Sequence, residues 1–319
     1  MVVLDKEVIV EVPHRISGFF EIVDEINGMK IQDPEKIGSR GAGFNLSAVG
    51  RTKIEIDELD KSNKNVLNIY INNEKVNKKA ETTYYIYNKI KHLINNPVRI
   101  KIFHYFDLPV GCGYGASGSG ALGTIFGLNH LLNLNLSNIE ESRIAHIAEV
   151  VNRTGLGTVC GLLRGGLCIL KEPGYPCVTE RIEVPDKYII VCGSFGMIHT
   201  KSILTDPILN LRIKKAGRKA LEKLIQQRNI RTFIKASIEF VRETEILDIL
   251  NLYEIKELIT NLNKLNVLGS SMNQLGKAVY VICKKESLSK VLEIFDSYKP
   301  RIRVFNLLIN NNGPRILKG

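Results

Sequence analysis

The sequence predicts a mixed α+β fold of about two domains. This prediction rests on the length of 319 residues, on strand-like segments that surround three helices in the first half, and on a second half in which strands alternate with amphipathic helices. With 44% hydrophobic and 24% charged residues, the composition is that of an ordinary globular protein. A chain of this size buries most of its apolar surface without disulfides or metals.

The first half contains segments of both periodicities. Its predicted strands are residues 2–12, 52–56, 66–71 and 98–106, with a strand pair over 161–170 around Gly165 and Gly166. Its predicted helices are residues 83–94, a stretch from the glycine-rich segment 111–123 to about residue 134, and 138–151. Ser137 followed by Glu140 predicts a capping box before the third helix. The alternation over 98–106 is typical of a half-buried antiparallel strand.

The second half begins with the strand-like residues 187–192. Two or three helices are predicted over residues 207–262, followed by a strand at 278–283, a helix at 288–298 and a strand at 302–308. The sequence shows no internal repeat, low-complexity tract or long linker.

The formal net charge of +11 agrees either with a lysine-rich surface or with an anionic partner such as a nucleotide, nucleic acid or anionic lipid. Charge alone does not choose among these. The six cysteines form no Cys-x-x-Cys pair, and no histidine pair has zinc-site spacing. Such scattered thiols are typical of reduced, mostly buried cysteines in a cytoplasmic protein. They are Cys112, Cys160, Cys168, Cys177, Cys192 and Cys283.

Two segments are apolar enough to raise the question of membrane contact or export. Asp5, Glu7 and Glu11 interrupt the apolar N-terminal stretch, which therefore does not resemble a signal peptide. The longest charge-free run, residues 108–139, has an apolar part that is too short to cross a bilayer. It is predicted to be a buried helix after a glycine loop, and no membrane partner is expected.

The most informative segment is residues 109–120, in which seven of twelve residues are Gly or Ser. Such a segment lets the backbone approach a ligand closely and point N–H groups at it. If it opens a helix, the helix N-terminus adds a partial positive charge, and the two effects together favour an anion, most often phosphate. A tight turn or close helix packing is the structural alternative.

Several phosphate-binding patterns do not match this segment. A Walker A loop needs Gly-Lys-Ser/Thr at the helix start, and the segment has no lysine. Gly113, Gly115 and Gly118 have dinucleotide-fingerprint spacing, but the preceding strand alternates, whereas a Rossmann strand is buried on both faces. The H-R-D and D-F-G motifs of protein kinases are absent, and Ser119 stands where a serine nucleophile elbow needs glycine.

The pattern that does match is Pro-x-Gly-x-Gly-x-Gly-x-Ser at residues 109–117. It resembles the second motif of the GHMP kinases, the superfamily of galactokinase, homoserine kinase and mevalonate kinase. Pro13, Arg15 and Glu21 match the first motif of that superfamily, and the loop at 269–276 is similar to the third. Three motifs in the expected order are far more specific than any one of them.

Further segments resemble the archaeal pantoate kinases within this superfamily. They are the S-G-F-F-E form of the first motif and residues 38–43, 145–149, 154–157 and 165–166. The resemblance covers most of residues 10–285. It implies an N-terminal GHMP kinase domain, residues 1–185, that is β-rich, similar to domain 2 of ribosomal protein S5, and carries the ATP phosphate loop. Residues 186–319 would form a ferredoxin-like domain.

The resemblance also implies an activity. A pantoate kinase transfers phosphate from ATP to the primary hydroxyl of pantoate, giving 4-phosphopantoate in archaeal coenzyme A biosynthesis, with Mg²⁺ as the metal. Pantoate and ATP are therefore the expected partners, and no nucleic acid is expected. A homodimer is left open.

Site residues follow from the matching positions. Ser117 and Glu149 are the expected magnesium ligands, and together with Arg15, whose fork would bind the substrate or the γ-phosphate, they form the expected catalytic set. The fork of Arg40 is expected to bind the pantoate carboxylate. The ATP-binding set is Pro109, Gly111, Gly113, Gly115, Ala116, Ser117, Gly118 and Ser119. The substrate-binding set is His14, Arg15, Glu21, Ser39, Arg40, Gly41 and Thr158.

One position departs from the family pattern. Many GHMP kinases have a catalytic aspartate where Gly157 and Thr158 stand, and this sequence has no carboxylate there. The homoserine kinases also lack it, so the acceptor hydroxyl would lose its proton late, to a phosphate oxygen or through water. No general base is assigned.

Two alternative functions stay open. A GHMP kinase for another small alcohol, such as homoserine, shikimate or mevalonate, is disfavoured only by Arg40 and its loop. A nucleic-acid-binding protein is suggested by nine cations with one acid over residues 212–235, although few aromatic residues are interleaved. These cations, the basic stripe, are Arg212, Lys214, Lys215, Arg218, Lys219, Lys223, Arg228, Arg231 and Lys235.

Overall fold

A computed structural model describes residues 6–60, 62, 64–198 and 200–317. Two main sheets with helices packed against them confirm the predicted α+β class. The strands are β1 (Glu7–Val23), β2 (Glu25–Ile26), β3 (Met29–Lys30), β4 (Gly38–Glu58), β5 (Val66–Ile71), β6 (Glu74–Lys75), β7 (Val98–Phe106), β8 (Leu167–Leu170), β9 (Thr179–Ile182), β10 (Ile189–Gly196), β11 (Gly269–Asn273), β12 (Lys277–Cys283), β13 (Arg303–Leu307) and β14 (Arg315–Leu317). The helices are α1 (Glu81–Ile90), α2 (Ala116–Leu132), α3 (Asn138–Asn152), α4 (Thr158–Arg164), α5 (Thr200–Thr205), α6 (Pro207–Gln226), α7 (Ile230–Thr244), α8 (Ile246–Ile249), α9 (Tyr253–Leu262) and α10 (Lys285–Asp296).

The larger sheet is built around two long antiparallel strands, β1 and β4, of 17 and 21 residues. Along its main path the strand order is β14-β1-β4-β7-β5-β6, and β8 and β9 extend it from β4. Most of β1 is buried, because α2 packs against one part of it and α6 against another. The sequence of a strand that is covered on both faces does not alternate regularly between apolar and polar residues.

The smaller sheet has the order β11-β12-β10-β13 and is antiparallel throughout. The helices α7, α9 and α10 pack against it, which gives the second half its mixed character. The last strand, β14, does not belong to this sheet. It pairs with β1 of the larger sheet. The domain boundary predicted between residues 185 and 186 falls in the connection from β9 to β10 and stays a prediction.

Several predicted elements have the expected limits and contacts. The strands β5 and β7 coincide with the predicted segments, and β7 alternates buried and exposed side chains beside its antiparallel neighbour β4. The capping box of α3 is confirmed, because Ser137 Oγ accepts from Glu140 N and Glu140 Oε2 accepts from Ser137 N. The helix α2, from the charge-free run, is buried as predicted. None of the helices within the described ranges combines the length and apolarity needed to span a bilayer.

Other predicted limits were wrong. The strand predicted over 2–12 continues to Val23 (its residues 2–5 lie outside the described ranges), and the strand predicted over 52–56 is part of the much longer β4. The loop predicted at 269–276 is mostly the strand β11, with a turn only at its end. Residues 161–170 were predicted to be a strand pair, but only β8 is a strand there, and the preceding residues belong to α4. Gly165 and Gly166, with φ of 71° and 61°, turn the chain between the two.

The cysteines also depart from the prediction. Cys160 and Cys177 form a disulfide with Cα atoms 5.4 Å apart, so the prediction of six reduced thiols is wrong for this pair. The bridge ties α4 to the loop that precedes β9. The other four cysteines are free and buried, as predicted.

Candidate active site

A cavity of about 460 Å³ lies where β1, β4 and the phosphate loop, residues 109–117, meet the turn after α3, the helix α5 and the turn after β11. The three segments that matched sequence motifs therefore come together around one space. Of the predicted site residues, those that line it are Arg15, Ser39, Arg40, Gly41, Gly111, Gly113, Gly115, Ala116, Ser117 and Thr158.

The phosphate loop has the backbone geometry of an anion site. Gly111, Gly113 and Gly115 have φ of 77°, 82° and 72°, a region that L side chains rarely adopt. A Cβ atom on Gly113 would lie 2.6 Å from the carbonyl oxygen of Gln274, so this glycine is also needed for close packing. Gly115 is the N-cap of α2, and no side chain caps the helix. The first N–H groups of a 17-residue helix are thus left to face a ligand.

Behind the phosphate loop, Ser117 and Glu149 form a hydrogen-bonded pair. Ser117 Oγ donates to Glu149 Oε1 at 2.6 Å, and Thr154 Oγ1 donates to the same oxygen at 3.0 Å. The other oxygen, Oε2, is buried and has no hydrogen-bond partner among the described residues. Glu149 is only 1% exposed, and burial raises the pKa of its carboxyl, an effect that the hydroxyls of Ser117, Thr154 and Thr158 offset only in part. The alternative of a solvated helix residue is therefore excluded.

This pair fits Mg²⁺. A magnesium ion usually takes one or two protein oxygens and completes its shell with phosphates and water. A hydroxyl and a carboxylate with one unpartnered oxygen supply that number, beside a loop suited to phosphate. Within the described ranges, no cluster of three or more His, Cys, Asp or Glu side chains offers a metal site of another kind.

Arg15 is the most deeply buried of the cations that line the cavity. Its residue is 2% exposed, and its side chain makes one hydrogen bond, from Nη1 to Asn45 Oδ1 at 3.3 Å. No carboxylate of the described residues lies within the 4.0 Å that defines an ion pair. A Cβ atom on Gly161 would lie 2.3 Å from Arg15 Nε, so the helix α4 covers the guanidinium closely. Burying an unpaired charge is costly, and an anionic ligand removes that cost.

Near the C-terminal end of β1, six residues beyond Arg15, Glu21 forms a salt bridge with Arg40. The register of β1 and β4 places the two residues opposite each other. Arg40 Nε and Nη2 donate to Glu21 Oε2 at 3.0 and 2.7 Å, while Arg218 Nε of α6 donates to Oε1 at 3.1 Å. The Glu21 side chain is 2% exposed and does not line the cavity. Both of its oxygens accept hydrogen bonds from arginines, so Glu21 contacts Arg40 and Arg218 instead of the cavity.

Other predicted site residues also lie outside the cavity lining. His14 is buried, and its Nδ1 lies 3.0 Å from the carbonyl oxygen of Tyr114, joining β1 to the phosphate loop. Burial lowers the pKa of His14 to about 4. Ser119 Oγ donates to the carbonyl oxygen of Val12 at 3.3 Å and faces the sheet. Pro109 lines a separate depression, and Gly118 packs close to Glu149 and Thr158 behind the loop.

The further residues that line the cavity include Arg153, Lys201 and Gln274, to which no role was assigned from the sequence. Arg153 is the C-cap of α3 in a left-handed conformation, and the Asn-Arg-Thr-Gly run at 152–155 is a helix-end signal that could have drawn attention to it. The lining thus contains four cations against one carboxylate among the described residues, that of Glu81. An excess of positive charge in a cleft of this kind concentrates anions.

The cavity also has an apolar side. Seven of the residues that line it have large aliphatic or aromatic side chains without polar atoms, and they come from β1, β8, the turn after α3, the segment around α5 and the turn after β11. They are Phe19, Phe20, Leu156, Leu170, Ile198, Leu204 and Leu275.

The basic stripe is largely paired within the protein. Six of its nine cations form ion pairs with carboxylates of the described residues. Lys214 binds Asp24 and Glu25 of the hairpin after β1, for example, and Arg218 binds Glu21. Much of the positive charge that suggested a nucleic-acid partner is therefore neutralised by carboxylates of the protein itself.

Comparisons with known proteins agree with this geometry. The sequence pattern of the GHMP kinases N terminal domain matches residues 80–166. The pantoate kinase of Methanocaldococcus jannaschii is 35% identical over 285 residues, which cover 88% of this chain and 95% of that protein. The pantoate kinase of Thermococcus kodakarensis is 30% identical over 290 residues, covering 89% and 90%. A solved structure described as a phosphotransferase related to the CoA biosynthesis pathway has a TM-score of 0.85 at 27% identity, and 98% of each chain is covered.

Proposed function

Since the chain belongs to the pantoate kinase family of the GHMP kinases, we propose that it transfers the γ-phosphoryl group of ATP to the primary hydroxyl of pantoate. The product is 4-phosphopantoate, an intermediate of coenzyme A biosynthesis. The resemblance predicted from the three motifs is confirmed by relatives that match most of the chain.

One observation within the site supports the proposal most strongly. Arg15 is buried, lacks a carboxylate partner among the described residues, and lies beside a phosphate loop that opens a helix. Phosphoryl transfer needs such fixed positive groups, because catalysis consists mostly of positioning and of stabilising charge on the transferred group. The guanidinium of Arg15 and the N–H groups at the start of α2 would hold the phosphates from two sides.

Ser117 and Glu149 would hold the magnesium ion through the serine hydroxyl and the carboxylate. A bound Mg²⁺ supplies positive charge that neutralises the phosphate oxygens and orients them. Thr154 keeps the Glu149 carboxylate in place through its hydrogen bond to Oε1.

The acceptor would lie along β1 with its carboxylate at Arg40. Glu21 fixes the plane of that guanidinium, which leaves its remaining N–H groups to form paired bonds with a carboxylate. The geminal methyl groups of pantoate would contact the apolar side of the cavity, where Phe19, Phe20 and Leu275 lie. Homoserine and shikimate have no such pair of methyl groups, which favours pantoate over these alternatives.

No general base is proposed. Thr158 stands near the phosphate loop, and its hydroxyl is far too weak a base to accept a proton at neutral pH. The hydroxyl of pantoate would therefore lose its proton late, to a phosphate oxygen or through water. A cytoplasmic location, where ATP is available, belongs to the same proposal.

The test is a panel of small alcohols incubated with ATP and Mg²⁺ and scored for ADP release. We expect pantoate to be turned over, with a kcat/KM at least about 100-fold above those of homoserine, shikimate and mevalonate, because each lacks the full match of carboxylate, methyl groups and hydroxyl. The product should be identified as 4-phosphopantoate by mass spectrometry. If the protein preferred another alcohol of the panel, that alcohol would replace pantoate as the proposed substrate. Strong, salt-dependent binding of generic DNA would favour the nucleic-acid-binding alternative.

A further inference from the structure

Gln274, in the turn after β11, carries a buried acceptor without a donor. The residue is 2% exposed and lines the cavity. Its Oε1 has no hydrogen-bond partner among the described residues. Buried polar atoms are nearly always paired, so an orphaned one on a residue that lines a cavity points to a group supplied by a ligand.

The orientation of this amide is determined by its surroundings. Its Nε2 donates to the carbonyl oxygens of Gly18 and Met272, each at 3.2 Å. Turning the amide over would set its oxygen against two carbonyl oxygens, which cannot donate. The amide oxygen is thus held as an acceptor that is closed to bulk solvent, and none of the described residues donates a hydrogen bond to it.

The position of Gln274 along the cavity indicates which hydroxyl of a bound substrate donates to its amide oxygen. Gly18, which anchors the amide, lies midway along β1 between Arg15, beside the phosphate loop, and Glu21, beside Arg40. An acceptor molecule that spans these two ends passes Gln274 with its middle part. In pantoate that part carries the C2 hydroxyl, whereas the reacting hydroxyl must point at the γ-phosphate.

We propose that Gln274 is a specificity-determining residue whose Oε1 accepts a hydrogen bond from the C2 hydroxyl of pantoate. The inference rests on the proposed function, since it assumes pantoate as the acceptor. A substrate analogue that lacks this hydroxyl leaves the amide oxygen buried and unpaired. A hydrogen-bonding site discriminates against an analogue in this way. The loss corresponds to about a 10- to 100-fold lower kcat/KM.

The experiment compares pantoate with 4-hydroxy-3,3-dimethylbutanoate, which differs only by lacking the C2 hydroxyl. The kcat/KM ratio of the two substrates is measured for the wild type and for Gln274→Met. We expect the wild type to prefer pantoate by about 10- to 100-fold and Gln274→Met to lower that preference to about threefold or less.

The ratio distinguishes loss of C2-hydroxyl recognition from damage to the turn. A merely structural defect lowers kcat/KM for both substrates by the same factor and leaves their ratio unchanged. Ser271→Ala is the matched control, since Ser271 Oγ is another buried unpartnered atom of β11 outside the cavity lining. It should leave the ratio unchanged. An unchanged ratio in Gln274→Met would overturn the inference while pantoate kinase activity stands. A wild type that does not phosphorylate pantoate would overturn the proposed function and this inference with it.

Discussion

Replacing Glu21 by glutamine removes the charge that holds Arg40 while keeping the size of the side chain. Both carboxylate oxygens are used in the native protein, Oε2 by Arg40 and Oε1 by Arg218. An amide offers one oxygen and turns its NH₂ group toward the other arginine, so one of the two guanidinium groups loses its partner.

The expected magnitudes follow from exposure. Hydrogen bonds to charged groups contribute about 1.5–3 kcal/mol each when buried, but the side chains of Arg40 and Arg218 are 30% and 64% exposed, so water compensates part of the loss. We expect Glu21→Gln to lower the free energy of unfolding by about 1–2 kcal/mol. A loosened Arg40 should raise KM for pantoate about 10-fold, which is about 1.4 kcal/mol of lost binding.

Steady-state kinetics with each substrate varied separately, together with urea unfolding, checks this prediction. Arg218→Ala is the control, because it removes the more exposed partner and should change KM for pantoate by no more than about threefold. Arg40→Ala should cost more than Glu21→Gln, about 2–4 kcal/mol of pantoate binding. If Glu21→Gln raised KM for ATP and left KM for pantoate unchanged, Arg40 would not be the carboxylate-binding group.

Three other outcomes are expected. Ser117→Ala and Glu149→Gln should each lose most of kcat while remaining folded by circular dichroism, and near-wild-type turnover at saturating Mg²⁺ would remove that residue from the metal site. Thr158→Ala should keep at least a modest fraction of kcat, since a hydroxyl cannot act as the base; complete loss with ATP binding intact would indicate a direct role. Burial lowers the pKa of His14 and His104 to about 4 from an ordinary value near 6.5. Between these values the unfolded chain binds protons that the folded chain excludes, so the urea midpoint should be highest above about pH 6.5 and fall as the pH drops toward 4. A flat profile across that window would contradict both pKa shifts.

The sequence predicted the parts of the site that depend on local signals. The glycine loop before α2 and the capping box of α3 are determined by neighbouring residues, and both occur where they were expected. The apolar run at 161–170 was ambiguous, because a short run of this kind suits a buried helix as well as a strand. Two consecutive glycines in left-handed conformations decided it in favour of a helix, a turn and one strand.

Contacts between distant segments were beyond sequence reasoning. Glu21 and Arg218 are 197 positions apart, and only the packing of α6 against β1 brings them together. The same holds for Gln274, whose amide nitrogen reaches Gly18 across 256 positions. Glu21 was expected to bind substrate because it matches a motif, but its partners indicate that it positions Arg40. A motif therefore identified the right neighbourhood, whereas the register of β1 and β4 determined the role.

The unpaired burial of Arg15 implies a conflict between stability and activity. In the absence of ligand, its guanidinium is desolvated, and the described part of the chain offers it one hydrogen bond and no carboxylate, so a methionine of similar length should be tolerated better by the empty protein. We expect Arg15→Met to be as stable as the wild type or up to about 3 kcal/mol more stable without ligand. Its kcat should fall at least about 10³-fold, because an arginine that stabilises a transferring phosphoryl group contributes that much. Thermal melts with and without ATP and Mg²⁺ separate the two effects: the ligand should raise the Tm of the wild type more than that of Arg15→Met. A variant that unfolds more readily than the wild type without ligand would show that Arg15 serves the fold, and the argument from its uncompensated charge to a bound phosphate would then fail.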